Sequence, residues 1–352
     1  MMIKVVWILL LFTCGNLVAQ NSVKRPLSID DFGAWNVLSG SVISNDGTIV
    51  SYVQKPQQGD GMLVVDYGTS INDTIPRGSN VSISPENDFL VFEIKPFEHQ
   101  VKKAKREKVK SEAMPSDSLG ILIRGPQKKL HKFPHLSSYS IPEEQAKWIA
   151  FSIQPKQVQI DTIQKDAKPE QKVRKGNDLV LFEVSTADTI EIKDVSGWVY
   201  SKNGAAVWYM KEKKDSLGTY ASIYKFDTRK GNVNRIYDEK GWIEKLTTDE
   251  EGQQCAFLFS SDTISDKVYS LFAGSTEIKP VEIVNEKTQG IPIGWAPSKN
   301  GNIYYSQDGT RIYFGTSEIV APEPEDTITD TEKPVLDIWS WNDHKLQSQQ
   351  LV

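Results

Sequence analysis

Cysteine is almost missing from this chain of 352 residues, which has only Cys14 and Cys255. Removal of an N-terminal leader containing Cys14 leaves Cys255 alone, so no internal disulfide can form and burial has to stabilise the fold. Cys255 opens an apolar run between Gln254 and Ala256 with no histidine beside it, which reads as a core thiol and not a nucleophile. Histidine is also scarce. His99, His131, His135 and His344 form no set. His131 and His135 have the spacing of one helix face, but Pro134 between them argues against a helix, and they read as strand or loop residues without a metal role. No cofactor is called for. The formal charge of −5 comes with no basic stripe interleaved with aromatics, which argues against nucleic acid as a partner. No serine is flanked by glycines two places before and two after, so the chain has no Gly-x-Ser-x-Gly elbow and no Ser/Asp/His set to act as a catalytic centre.

Long apolar runs are missing too. The longest, Val5–Phe12, follows Lys4 and precedes Leu17-Val18-Ala19, the layout of an export signal and too short to span a bilayer. The expected leader is residues 1–19, cut after Ala19, giving a periplasmic or extracellular protein without a transmembrane segment. Acylation at Cys14 is the alternative, although Thr13 stands where a lipobox has a small residue.

What the chain does have is a repeat. Ser44-Asn45-Asp46-Gly47, Ser201-Lys202-Asn203-Gly204 and Ser306-Gln307-Asp308-Gly309 each lead into a run of β-branched and aromatic residues. Looser copies begin at Ser84, Ser140 and Thr248. Asn, Asp and Gly suit tight turns, and the residues after them suit a half-buried strand. Counted from Ser44, Ser84, Ser140, Ser201, Thr248 and Ser298, the copies start 40, 56, 61, 47 and 50 residues apart. That period predicts an all-β chain, a β-propeller of four-stranded antiparallel blades over residues 27–352, incomplete in this chain.

Gly197-Trp198, Gly241-Trp242 and Gly294-Trp295 keep the same rhythm and read as inter-blade packing. Asp-Thr-Ile begins at Asp73, Asp161, Asp188, Asp262 and Asp326, the composition of hairpin corners. Two charged insertions, near 99–118 and 156–176, interrupt the period and belong on one face of the array. The first holds Lys102–Lys110, expected as a short surface helix or a hairpin tip. Near the end, Val335–Trp339 predicts one more strand with nothing after it to complete a blade, the pattern of a shortened gene product.

Several stretches resemble one family. Leu27–Trp35, Ile75-Pro76-Arg77-Gly78-Ser79-Asn80, Met114–Ile121, Lys175–Leu181 and Asp337-Ile338-Trp339-Ser340-Trp341 are similar to the N-terminal region of secreted bacterial serine peptidases of the prolyl oligopeptidase family, in the dipeptidyl-peptidase-like branch. The resemblance implies a propeller that caps a C-terminal α/β-hydrolase domain and admits peptides by size. That domain would be the partner, the full gene product a serine peptidase, and this chain alone inactive. Some members hold a substrate amino terminus on paired propeller carboxylates; Glu143-Glu144 and Glu250-Glu251 are the adjacent pairs here. A non-catalytic propeller that binds a peptide, glycan or envelope partner is the alternative.

Overall fold

The apolar runs after the repeat turns are buried on both sides, and this fixes the architecture. The computed structural model describes residues 26–33, 35–69, 72–125, 128–155, 176–216, 218–263, 266–320, 340–345 and 349. The expected leader with Cys14, Asp161, Asp326 and the expected strand Val335–Trp339 lie outside them, as does nearly all of the second insertion. Among the described residues no helix is long and apolar enough to cross a membrane.

Five sheets follow one another, each a four-stranded antiparallel meander. Blade 1 is β1 (Asn36–Ile43), β2 (Val50–Pro56), β3 (Met62–Asp66) and β4 (Asn72–Pro76); blade 2 is β5 (Gly78–Ile83), β6 (Phe89–Ile94), β7 (Ser118–Ile123) and β8 (Lys129–Phe133). Blade 3 is β9 (Leu136–Ser140), β10 (Trp148–Ile153), β11 (Asn177–Glu183) and β12 (Thr189–Val195). Blade 4 is β13 (Gly197–Tyr200), β14 (Ala206–Asp215), β15 (Gly218–Asp227) and β16 (Asn232–Lys240), and blade 5 is β17 (Trp242–Thr248), β18 (Gln254–Ser260), β19 (Ser270–Ser275) and β20 (Val281–Val284). A sixth unit is one kinked hairpin: β21 (Trp295–Pro297) and β22 (Tyr304–Tyr305) run out, β23 (Ile312–Tyr313) and β24 (Thr316–Glu318) run back. The fold is a β-propeller, with five complete blades among the described residues. First strands of neighbouring blades approach one another, β1 to β5 and β13 to β17, so the first strand of each sheet is the inner edge.

The second strands alternate between two cores, because successive side chains leave a strand on opposite faces. In β6, Leu90 and Phe92 join the cluster shared with blade 1, while Phe89 and Val91 join the one shared with blade 3. In β14, Val207 and Tyr209 face blade 3 and Ala206 and Trp208 face blade 5. In β18, Cys255 and Phe257 face blade 4, whereas Ala256 and Leu258 face the sixth unit. Stability therefore resides between blades, in five apolar interfaces joining six units.

The repeat turns are built alike. Ser44 Oγ accepts the Ile49 N–H at 2.9 Å, and Gly47 N–H closes on Ser44 O at 2.9 Å. Ser306 repeats both bonds with Arg311 and Gly309. Two register assignments need correction. Asp249, not Thr248, takes the serine's place, accepting the Gln253 and Gln254 N–H groups at 2.8 and 2.9 Å; a carboxylate oxygen does the work of the hydroxyl. Ser306, not Ser298, is the turn of the sixth unit, since only Ser306 lies between the two arms of its hairpin. Gly40 (φ 59), Asn80 (φ 46) and Lys245 (φ 56) fall four residues before Ser44, Ser84 and Asp249, each within a shift of strand register. These are β-bulges that bend the inner strands of blades 1, 2 and 5 at the same place.

Of the recurring tryptophans, Trp198 packs against the core shared by blades 3 and 4, as expected. Trp198 and Trp242 are half-buried and Trp295 is 37% exposed. The indoles that hydrogen-bond across blades are those of Trp148, whose Nε1–H donates to Thr228 O at 3.1 Å, and Trp208, which donates to Gly252 O at 3.2 Å. They stand on second strands, where both faces are buried; the Gly-Trp pairs stand at the starts of inner strands or beyond the last full blade. Of the Asp-Thr-Ile copies, Asp188 precedes β12 at a hairpin corner, Asp262 holds the Val268 N–H in the loop after β18, and Asp73 lies within β4.

Candidate functional site

The two ends of the blades are built differently. The repeat turns link first strands to second strands, so all of them lie at one end, and there they are bonded to each other. Asn203 N–H donates to Glu250 O at 3.1 Å, and its side-chain amide reaches Glu251 Oε2 at 2.8 Å. Gln254 Nε2 donates to Gly309 O at 3.2 Å, and Glu143 and Glu144 N–H groups donate to Lys202 O at 2.9 and 3.2 Å.

This end holds all four carboxylate candidates, gathered around one turn. Glu143 and Glu144 come from blade 3, Glu250 and Glu251 from blade 5, and Lys202 of blade 4 stands between them. Lys202 Nζ is 2.7 Å from Glu250 Oε1 and 4.0 Å from Glu143 Oε2. The bond to Glu250 and the charges of Glu143 and Glu250 hold the lysine above its ordinary pKa. The ammonium that an amino terminus would offer is thus already supplied by Lys202.

The opposite end carries the connections from second to third strands, and these vary in length. The first charged insertion arises there, between β6 and β7; the second, between β10 and β11, lies almost wholly outside the described residues. The first folds as a helix, α2 (Glu98–Arg106), following the short α1 (Ile29–Phe32) in chain order. Asp60 Oδ1 accepts the Glu98 N–H at 2.9 Å, and Glu98 Oε2 accepts the Gly59 N–H at 2.9 Å, so the helix start is pinned to the β2–β3 loop. Glu98 also pairs with Lys102. Ala104 is buried, while Lys103, Lys105 and Arg106 point to solvent.

Under α2 lies a cleft of about 670 Å³, walled by the bulged inner strands at Gly40 and Asn80, the end of β2 at Lys55, and Pro96, Val101 and Asp117. A second hollow of about 410 Å³ shares Arg77 and Lys95 with it and continues to Lys132 and His135. Such concave sites with a few converging polar groups are where small molecules or chain segments bind. Ser79 Oγ, in the cleft lining, is buried without a partner. Arg77 sits in the left-handed region (φ 61), its N–H bonded to Gly61 O at 2.8 Å and its carbonyl accepting from Lys95 N at 2.9 Å. Its guanidinium lies 3.8 Å from the Phe97 ring centre and donates to Lys95 O at 2.6 Å.

The histidines divide between environments. His131 lies on β8, its Nε2 buried without a partner and its ring 5.1 Å from that of Phe182. His135 (φ 61) follows Pro134 in a loop, with Ser116 Oγ 3.0 Å from Nδ1. His99 is on α2, its ring 5.3 Å from Phe97, and His344 is an exposed residue near the C-terminus. Among the described residues no three His, Cys, Asp or Glu side chains gather as a metal site. Cys255 is fully buried, and burial pushes its thiol up to about 12.

No protein-family model matches this chain, and no curated protein sequence matches it. Solved structures do. The β-propeller domain of the Trilobed protease from Pyrococcus furiosus is similar at 12% identity and a TM-score of 0.42, over 81% of this chain and 80% of that one. An oligogalacturonate lyase in complex with manganese is similar at 12% identity and a TM-score of 0.43, over 79% and 73%. Pyrococcus horikoshii acylaminoacyl peptidase is similar at 12% identity and a TM-score of 0.42 over 80% of this chain, but this chain spans only 42% of its length. At these identities and scores the likenesses carry no argument about activity.

The sequence did not single out Arg77 as a binding residue, although it lies in a stretch that carries the family resemblance. Its signal was local: a bulky residue between Pro76 and Gly78, at a turn that demands positive φ.

Proposed function

We propose that this chain is the substrate-gating propeller of an exported serine peptidase that acts on peptides, its α/β-hydrolase domain being supplied by the same gene product. The family resemblance supplies the chemistry, and one structural observation supports a larger assembly. The residue six places after the turn faces the preceding blade: Leu90, Val207 and Cys255 are each 0% exposed there, but Val50 of blade 1 is 38% exposed. The residue seven places after the turn faces the following unit: Ser51, Val91, Trp208 and Ala256 are 0% exposed, but Tyr313 of the sixth unit is 44% exposed. Val37, Leu38 and Ile43 at one end, and Ile293 at the other, add to two apolar faces of the kind that every other interface buries. Further β-structure closing the ring would cover both.

The inner strands suit such a role. β1, β5, β9 and β13 contain no charged residue, and on β1 the hydroxyls of Ser39 and Ser41 are exposed. Hydroxyls can bond a passing peptide backbone without selecting for charge.

The test is fluorophosphonate labelling of the whole gene product beside this chain alone. Labelling of a serine beyond Val352, with hydrolysis of peptides, supports the proposal. A product that ends with this chain, labels nowhere and still binds peptide or glycan establishes the non-catalytic propeller instead, which the cleft beneath α2 would serve.

A further inference from the structure

We propose that the hollow at Arg77, Lys132 and His135 captures a peptide carboxylate, a terminal or side-chain one; this rests on the reading of the protein as a peptide-handling propeller. The chain carries an excess of acid, yet the lining of this hollow includes Arg77, Lys95, Lys132 and His135 and no acidic residue. Lys95 is neutralised, its Nζ bonded to Glu93 and to Asp117 at 2.7 Å. Arg77 and Lys132 form no ion pair among the described residues.

Arg77 is built to stay in place. Its backbone is bonded on both sides, one nitrogen is held by Lys95 O, and one face of the guanidinium rests on Phe97. The remaining edge is a preorganised fork of the kind that matches a carboxylate. Ser116, half-buried at the rim, fixes the His135 ring through Nδ1.

A peptide fits better than a compact dianion because of what adjoins the hollow. The larger cleft shares Arg77 and Lys95 but also holds Asp60, Glu98 and Asp117. A ligand with one anionic end and a long neutral body can place the end among the cations and the body along the cleft. Inorganic phosphate would fill the hollow alone and leave the adjoining cleft unused.

Calorimetric titration of the full chain with acetyl-trialanine, as the free acid and as the amide, tests this. The free acid should bind, with the amide weaker by roughly tenfold or more, the difference expected for hydrogen bonds to a charged group. Lys132→Gln, on an exposed strand position, should shrink that difference at an unchanged melting temperature, and Arg77→Lys should do the same through loss of the fork. Equal binding of acid and amide, or full discrimination in both variants, would overturn the proposal. Displacement of the free acid by equimolar inorganic phosphate would also overturn it, as a bare anion site. Equal binding with serine labelling of the gene product intact removes the carboxylate site alone; discrimination without labelling removes the peptidase reading alone.

Discussion

Replacing Trp208 by phenylalanine tests whether the blades are held together as described. Trp208 is fully buried, faces blade 5 and donates its indole N–H to Gly252 O at 3.2 Å. The substitution keeps an aromatic ring but strands the Gly252 carbonyl in a buried place, at about 1–3 kcal/mol. The smaller ring also gives up burial worth about 1 kcal/mol, at about 0.8 kcal/mol per methylene. The expected loss is therefore roughly 2–4 kcal/mol. Urea and thermal unfolding followed by far-ultraviolet circular dichroism would read it. Trp295→Phe is the control, partly exposed and in the last unit, with an expected change within about 0.5 kcal/mol. If Trp208→Phe costs no more than Trp295→Phe, the inter-blade indole is not a source of cohesion and the reasoning fails.

Three further outcomes follow from the same geometry. Cys255, buried and with its thiol pushed up to about 12, should stay unreactive to a thiol reagent at pH 8 in native protein and react once in denaturant; stoichiometric labelling of folded protein would contradict its placement. Asp46 is lowered to about 2, chiefly by the Thr48 backbone N–H and then by the Ser44 hydroxyl, so its contribution is complete above the ordinary carboxylate pKa of 3.8 and lost as pH falls toward 2. Asp46→Asn should therefore weaken the protein at neutral pH and flatten its acid titration of stability over that window; an unchanged pH profile would count against the turn's role. Gly204→Ala should destabilise far more than Gly231→Ala, because both have positive φ but only at Gly204 would the added methyl meet a neighbour, the Gln145 carbonyl at 2.0 Å; equal melting temperatures would refute this.

The blades were legible in the sequence because turn and strand signals are local. Ser44 with Asp46 and Gly47, and the alternation that follows, depend on neighbours a few residues apart. The register slipped where chemistry replaced identity, Asp249 standing in for serine, and where Ser298 imitated a turn eight residues before the true one at Ser306. The tryptophan expectation held for Trp198 but missed Trp148 and Trp208, for a different reason. Periodicity marks a position in the repeat but not which strand of the blade it occupies, and Trp148 and Trp208 stand on second strands, which bury both faces. The adjacent carboxylates were visible as pairs, whereas their convergence on Lys202 depends on three blades lying side by side. Arg77 and Lys132 are 55 residues apart in sequence and on different strands' ends, so no spacing could link them.

The contrast between the two ends of the array also bears on how the molecule can be altered. Where turns are bonded to the turns of the next blade, a residue added to one loop displaces two blades, and the disturbance passes around the array. At the opposite end, a whole helix has been set between β6 and β7 while those strands remain paired from Phe89 with Ile123 to Ile94 with Ser118. Loops at that end are therefore the sites for inserted tags, reporters or grafted recognition segments.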